Sequence, residues 1–155
     1  MCIRDRFSPS YLEEVVRHHT PGRMKVAPEH VNDTVLKLMN KPGVETYKEF
    51  LDAVNRIDSH FKILPYFIAA HPGCDMKEME EVMEFVKKHG EYEQCQVFTP
   101  TPMSASTCMY HTGKNPFTGE EVYVPVEFAK KKAQKAMLTP SKPRSRARLR
   151  RYKKK

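Results

Sequence analysis

The sequence contains no cysteines at the spacing of a metal or cluster motif. Its four cysteines are Cys2, Cys74, Cys95 and Cys108, and they form neither a CxxC nor a CxxxCxxC pattern. Closely spaced cysteines are the usual ligands of structural zinc and of iron–sulfur clusters. We therefore expect no metal held by this chain alone, and we expect reduced thiols in a cytoplasmic protein.

Long apolar runs are also missing. No stretch reaches the roughly 18–20 apolar residues that a membrane-spanning helix needs, so no membrane contact is expected. Hydrophobic residues make up 39% of the chain, and 12 prolines against 6 glycines predict many breaks between short elements. A length of 155 residues allows one domain with a hydrophobic core.

The body of the chain lacks an excess of positive charge, although the net charge is +8. Residues 140–155 contain nine Lys or Arg and no acid, which leaves 18 basic and 19 acidic residues elsewhere. A nucleic-acid surface over the whole body is therefore not supported. Residues 141–155 are predicted to be disordered, and they could either contact the phosphates of RNA or another polyanion, or serve only as a solubilising end.

Three apolar segments of strand length are separated by helical patterns. The most distinct segment, residues 62–70, ends abruptly in His71-Pro72-Gly73 and is followed by a capped helix. This pattern is typical of a buried parallel strand whose carboxyl end opens into a loop. Residues 23–27, before Pro28, and residues 94–98 are predicted to be the other strands. The predicted order is α-β-α-α-β-α-β-α, with a helical crossover between successive strands.

Helix boundaries are predicted from capping signals. The capping boxes begin at Ser10, Thr46 and Asp75, and Asn32 and Asp33 are further candidate caps. Gly90 is placed to end the helix that follows Asp75. Residues 104–125 are predicted to be a loop with a turn near Thr118-Gly119, and residues 126–138 a lysine-rich helix.

Three strands cannot close a barrel, and their edges need further strands from a longer chain or a partner. The predicted fold class is therefore α/β: half of a partial (β/α) barrel, with about three parallel strands, flanking helices and a disordered basic tail. The predicted segments are residues 1–7, an irregular or non-native leader; 8–125, the half-barrel and the loop after it; 126–139, a helix; and 140–155, the tail.

Polar side chains follow each predicted strand. Glu29 and His30 follow the first strand, His71 follows the second, and Thr99 and Pro100 follow the third. Because the carboxyl ends of parallel strands share one edge of a sheet, we expect these residues to converge around a polar ligand. Each also has a purely structural explanation: Glu29 could brace the next helix, His71 could pair with a backbone carbonyl, and Pro100 could rigidify a turn.

Four stretches of the chain resemble the YgiQ-type radical S-adenosylmethionine proteins. They are residues 25–30 (KVAPEH), 33–42 (DTVLKLMNKP), 66–73 (YFIAAHPG) and 98–113 (FTPTPMSASTCMYHTG). The resemblance runs from about Tyr11 to Leu138, and its most specific parts are residues 106–116 (STCMYHTGKNP) and 123–125 (YVP).

The resemblance implies part of an enzyme with a partial (β/α) barrel. In that family a CxxxCxxC loop holds a [4Fe–4S] cluster, and S-adenosylmethionine is cleaved to a 5′-deoxyadenosyl radical. The loop is absent here, so the resemblance implies a C-terminal part that is inactive alone. It assigns no substrate and no catalytic residue. The alternative function from the residues themselves is an RNA- or polyanion-binding module that acts through the basic tail.

The resemblance also implies that the later barrel strands bind S-adenosylmethionine. By position, it places Glu29 and His30 near the ribose or the methionine amine, Tyr66, Ile68 and His71 on the adenine side, and Thr99 and Pro100 over the cofactor.

Overall fold

The computed structural model describes residues 8–90 and 92–138, so the predicted leader and basic tail lie outside the described residues. The strands are β1 (Arg23–Glu29), β2 (Lys62–Ala69) and β3 (Gln94–Val97). The helices are α1 (Pro9–Glu14), which continues into a π-helical turn (Val15–His19), α2 (Asp33–Leu38), α3 (Val44–Ile57), α4 (Met76–His89), α5 (Ala105–Thr112) and α6 (Phe128–Leu138).

The three strands form one parallel sheet in the order β1-β2-β3. Val26 of β1 lies opposite Pro65 of β2, and Phe67 of β2 lies opposite Cys95 of β3. Helices connect the successive strands, as parallel pairing requires. The predicted α/β fold with three parallel strands is confirmed, and within the described residues β1 and β3 are the edges of the sheet.

One face of the sheet is covered by helices. Phe67 and Ala69 of β2 are fully buried against Met79 and Val82 of α4 and Leu138 of α6. A second cluster of buried side chains joins α1, the π-helical turn and α3 to β1; it consists of Leu12, Val16, Val26, Tyr47, Phe50, Val54 and Phe61. Burial of this apolar surface is the main term that stabilises the helices on the sheet.

The opposite face of the sheet is partly exposed, and we call it the open face. Side chains alternate between the two faces of a strand, so this face carries Lys25, Leu64, Tyr66, Ile68, Gln94 and Gln96. At its amino end, Lys25 Nζ lies 2.7 Å from Glu93 Oε1, and this ion pair crosses β2. The apolar run of β2 predicted a strand buried on both faces, whereas Leu64, Tyr66 and Ile68 remain half-exposed in the described part of the chain.

Two of the predicted helix caps are confirmed. Asp75 and Glu78 form a capping box at the start of α4, in which Asp75 N donates to Glu78 Oε2 at 2.8 Å. Asn32 caps α2, because its Oδ1 accepts from the backbone N–H of Thr34 and of Val35. Gly90 follows α4 with a φ of +95°, as predicted for a glycine that ends a helix.

The other two capping boxes were wrong. The first helix begins at Pro9, where the proline already fixes a helical φ, so Ser10 lies inside the helix. Helix α3 begins at Val44 instead of after Thr46, because the carboxylate of Asp33 accepts the Val44 N–H at 2.7 Å. A contact between residues 11 positions apart therefore replaces the local cap.

Two strand ends and one loop also differ from the prediction. Strand β1 continues past Pro28 because its register shifts between Val26 and Glu29, and a bulge on an edge strand tolerates proline. Strand β3 ends at Val97, one residue early. Residues 105–112, predicted as loop, form α5, which the hydroxyl of Ser104 caps and Gly113 ends with a φ of +67°.

The described residues after α5 agree more closely with the predicted elements. The turn near Thr118-Gly119 is confirmed by an antiparallel bridge between Lys114 and Glu121. Helix α6 begins at Phe128, two residues later than predicted. Among the residues that the structure describes, none of the helices combines the length and the apolar character of a membrane span.

Candidate functional site

The carboxyl ends of the three strands meet at one edge of the sheet, as predicted. Glu29 ends β1, His71 follows β2 after Ala70, and Thr99 follows β3 after Phe98. Glu29 and Ala70 adopt φ values of +68° and +60°, which are strained for residues with a Cβ atom. Two adjacent strands therefore change direction through unfavourable backbone at the edge where the candidate residues lie.

Tyr66 and Ile68 lie on the open face at this edge, whereas Glu29 is in register with Phe67 of the covered face. Tyr66 and Ile68 are half-exposed on the open face, and the Tyr66 hydroxyl donates to Gln96 Oε1. The Glu29 carboxylate lies 3.1 Å from Lys41 Nζ. Burial raises the pKa of Tyr66, and the negative charge of Glu29 adds to that rise. The open face therefore combines an aromatic ring, an aliphatic side chain and an amide, and the charge of Glu29 acts on Tyr66 from the end of β1.

His30 lies behind this surface and is buried. The backbone N–H of Asn32 donates to His30 Nδ1 at 3.0 Å, so Nδ1 carries no proton and Nε2 carries one. His30 Nε2 lies 3.4 Å from Cys74 Sγ. Burial, and then the proximity of His71, lowers the pKa of His30 to about 4, so the imidazole is neutral at pH 7.

Gln134 joins the end of β2 to helix α6. Its Oε1 accepts from Ala70 N at 2.8 Å, and its Nε2 donates to the Cys74 carbonyl at 3.0 Å. Cys74 Sγ lies 3.4 Å from the same Oε1. Burial raises the pKa of Cys74 to about 12, so its thiol is protonated at neutral pH.

His71 is also buried, and its protonation can be assigned from its partners. His71 Nδ1 lies 2.7 Å from the Pro72 carbonyl, which can only accept, so Nδ1 carries the proton. His71 Nε2 is then an acceptor, and the Ser106 hydroxyl donates to it at 2.8 Å. Burial lowers the pKa of His71 to about 4, although the bond to Pro72 opposes the shift. The expected pairing of His71 with a backbone carbonyl is confirmed.

Thr99 and Pro100 lie at the rim of the site. Thr99 is exposed and Pro100 is half-buried. Phe98 lies between these two residues and the buried His71. The centroid of its ring is 5.0 Å from that of His71, in an edge-to-face contact, and 5.8 Å from that of Tyr110 in α5. The loop after β3 is thus fixed to the interior by an aromatic side chain.

The seven predicted site residues therefore share one edge but occupy three levels. Glu29, Tyr66 and Ile68 are partly exposed, Thr99 and Pro100 lie on the rim, and His30 and His71 are buried. Sequence reasoning did not identify Gln134, Ser106 or Gln96 as part of this region. The available signal for Gln134 was an uncharged polar residue four positions before Leu138, on the inward side of a lysine-rich helix.

The described residues do not fit an iron–sulfur cluster. No group of three or more His, Cys, Asp or Glu among them could hold a metal ion. Cys95 is buried with a pKa raised to about 11, in addition to the buried Cys74, and Cys108 is exposed. Three thiolates that converge on one cluster are therefore not available from the described cysteines.

The chain is similar to a family described as a domain of unknown function and to several UPF0313 proteins. The family described as a domain of unknown function (DUF3362) matches residues 93–151, which include β3, α5 and α6. A UPF0313 protein of Methanocaldococcus jannaschii is 46% identical over 138 residues, which are 86% of this chain and 23% of that protein. A UPF0313 protein of Geobacter sulfurreducens is 46% identical over 84% of this chain and 22% of that protein.

A UPF0313 protein of Methanosarcina mazei is 45% identical over 83% of this chain and 21% of that protein. The chain thus spans about a fifth of the length of the curated relatives that it matches. Over most of its own length it is similar to UPF0313 proteins.

Proposed function

We propose that this chain contributes the later strands of the barrel in a YgiQ-type radical S-adenosylmethionine enzyme, in which those strands bind S-adenosylmethionine and shape the substrate pocket. The residues that resemble this family support the proposal, as do the three parallel strands. The observation that carries it is the open face, where Tyr66 and Ile68 remain half-exposed at the carboxyl edge, next to the strand that Glu29 ends. Ligands of parallel α/β folds bind at this edge.

The open face suits the chemistry of S-adenosylmethionine. Ile68 offers an apolar wall for the adenine ring, and the Gln96 amide beside Tyr66 offers hydrogen bonds to its polar edge. Glu29 carries a charge that suits the methionine ammonium or the ribose hydroxyls. Thr99 and Pro100, at the rim, would close over the bound cofactor.

His30 and His71 support the site in this proposal without contacting the cofactor. Each histidine has partners at both ring nitrogens and is buried, so binding a cofactor directly would require breaking those contacts. Their role is to hold the loops that position Glu29 and Thr99. The cluster would be held by residues outside this chain, and no step through a cluster is assigned to the residues described.

A chimera tests this function. The matching segment of the Methanocaldococcus jannaschii UPF0313 protein is replaced by residues 8–138 of this chain, and the product is purified anaerobically. We expect it to bind about four irons, the content of one [4Fe–4S] cluster, and to release 5′-deoxyadenosine when it is reduced with S-adenosylmethionine present. A chimera that binds iron but leaves the cofactor intact, while the unmodified relative cleaves it, would contradict the proposal.

A second candidate function is RNA or polyanion contact through residues 141–155. The observation that favours it is the charge of α6, which carries Lys130, Lys131, Lys132 and Lys135 immediately before that segment. Phosphate contacts of this kind weaken steeply as salt rises. Deletion of residues 139–155 is expected to abolish retention on immobilised RNA at low salt, and unchanged retention would eliminate this function.

A further inference from the structure

Ser106 and His71 form a hydrogen-bonded pair that the proposed cofactor site does not use. The Pro72 carbonyl accepts a hydrogen bond from the protonated Nδ1 of His71. The lone pair of Nε2 therefore faces the Ser106 hydroxyl, which donates to it at 2.8 Å. A serine whose proton points at a neutral imidazole, with the far nitrogen of that imidazole held by an acceptor, has the geometry of an activated nucleophile.

The surrounding residues hold this pair in place. Ser106 is the second residue of α5, and the Ser104 hydroxyl fixes the first turn of that helix by accepting from Thr107 N at 3.2 Å. The ring of Phe98 packs against His71 on the other side. His71 is buried and Ser106 is only half-buried, so the base is more shielded from water than the serine.

We propose that Ser106 is a nucleophile for acyl transfer, with His71 as its general base. The substrate class is a carboxylic ester with an apolar acyl group, because Phe98 and Tyr110 form an aromatic wall beside the pair. Tyr110 lies four residues after Ser106 and therefore on the same side of α5. This inference does not depend on the proposed radical chemistry.

The step balances with the ester and water alone. The Ser106 oxygen attacks the ester carbonyl carbon as its proton passes to His71 Nε2, and the bond to the alcohol oxygen then breaks as that oxygen takes the proton. Water, deprotonated by the same nitrogen, later attacks the acyl-serine, and the carboxylic acid leaves as the serine regains its proton.

The test treats the full chain with p-nitrophenyl butyrate, quenches it in acid and maps the butyryl group by mass spectrometry. We expect butyrylation at Ser106. Ser106→Ala should remove it, and His71→Gln should slow it by about 100-fold, the lower range for general-base assistance.

Ser59 provides a matched control, because its hydroxyl also lies near a histidine nitrogen but at the surface. Ser59 Oγ is 3.4 Å from His60 Nδ1, and both side chains are exposed. We expect Ser59→Ala to leave the release of p-nitrophenolate unchanged. Circular dichroism of each variant establishes that it is folded. Butyryl groups spread over lysines and surface serines, or a Ser106→Ala chain as reactive as the parent, would overturn the proposal.

Discussion

The Ala70 N–H donates to Gln134 Oε1 at 2.8 Å, and this bond joins the end of the central strand to the last described helix. Ala70 has a φ of +60°, so its amide points out of the strand ladder and needs a partner from another element. Gln134 is fully buried and also binds the Cys74 carbonyl. One side chain thus satisfies the backbone on both sides of the His71-Pro72-Gly73 loop.

Replacement of Gln134 by leucine should destabilise the fold. The change leaves the Ala70 N–H and the Cys74 carbonyl buried without their partner, at about 1–3 kcal/mol each. We expect the free energy of unfolding, measured by urea denaturation, to fall by about 2–6 kcal/mol. Gln94→Leu, at an exposed position, should change it by less than about 0.5 kcal/mol. Equal losses of unfolding free energy for the two changes would show that the buried Gln134 amide does not stabilise the fold.

The buried histidines predict a loss of stability in mild acid. Their folded pKa values of about 4 lie below the unfolded value of 6.5, so the unfolded chain binds more protons as the pH falls below 6.5. Stability is therefore complete above pH 6.5 and declines toward pH 4, by up to about 1.4 kcal/mol per pH unit for each histidine.

Unfolding titrations between pH 5 and 7 measure this slope, in a range where most carboxylates stay ionised. His30→Asn should make the slope shallower by about one proton. His60→Asn is the control for the substitution itself, because His60 is exposed. A slope that is the same in all three chains would mean that His30 titrates normally in the fold.

Gly73 and Gly119 allow steric clash to be separated from backbone strain. Both have positive φ, +85° and +76°, but a Cβ at Gly73 would come within 2.3 Å of Leu38 Cδ1, whereas no heavy atom lies within 4 Å of one at Gly119. Gly119→Ala should cost about 1–2 kcal/mol of unfolding free energy. Gly73→Ala should cost about 1–3 kcal/mol more, since Leu38 must move. Equal losses would indicate that Leu38 adjusts freely.

The neutral state of His71 predicts the pH dependence of Ser106 acylation. With a pKa near 4, His71 remains a free base throughout the range from pH 5.5 to 7.5. The acylation rate of Ser106 should then be nearly constant across that range and decline only toward pH 4. A rate that halves near pH 6.5 would instead indicate a histidine with its ordinary pKa.

Sequence patterns predicted the sheet well because its signals are local. The apolar segment before His71 and the Asp75 capping box place β2 and α4 within a residue of their observed bounds. Helix α5 was missed because its Ser, Thr and Cys residues have weak helix propensity, although Ser104 and Gly113 bracket it as caps. Contacts between distant residues, such as Ala70 with Gln134, leave no local pattern at all.

The sequence pattern also did not predict that the open face is exposed. An apolar run of β2 predicts burial on both faces, and only the register shows that Leu64, Tyr66 and Ile68 share the face that is not covered within the described residues. The predicted convergence of Glu29, His71 and Thr99 at one edge follows from parallel strands alone. Which of them are buried depends on packing of α5 and α6, and the residue spacing does not encode that packing.

The most direct test of the central claim compares two positions on the open face of β2. Ile68 lies at the carboxyl edge, and Leu64 lies four residues, or about 13 Å, toward the amino end on the same face. S-adenosylmethionine affinity is measured by equilibrium dialysis on the chimera. We predict that Ile68→Ala weakens binding about tenfold, the effect of about 1.4 kcal/mol, while Leu64→Ala leaves it unchanged. Equal affinity of both variants and the parent chimera would contradict a cofactor site at the carboxyl edge.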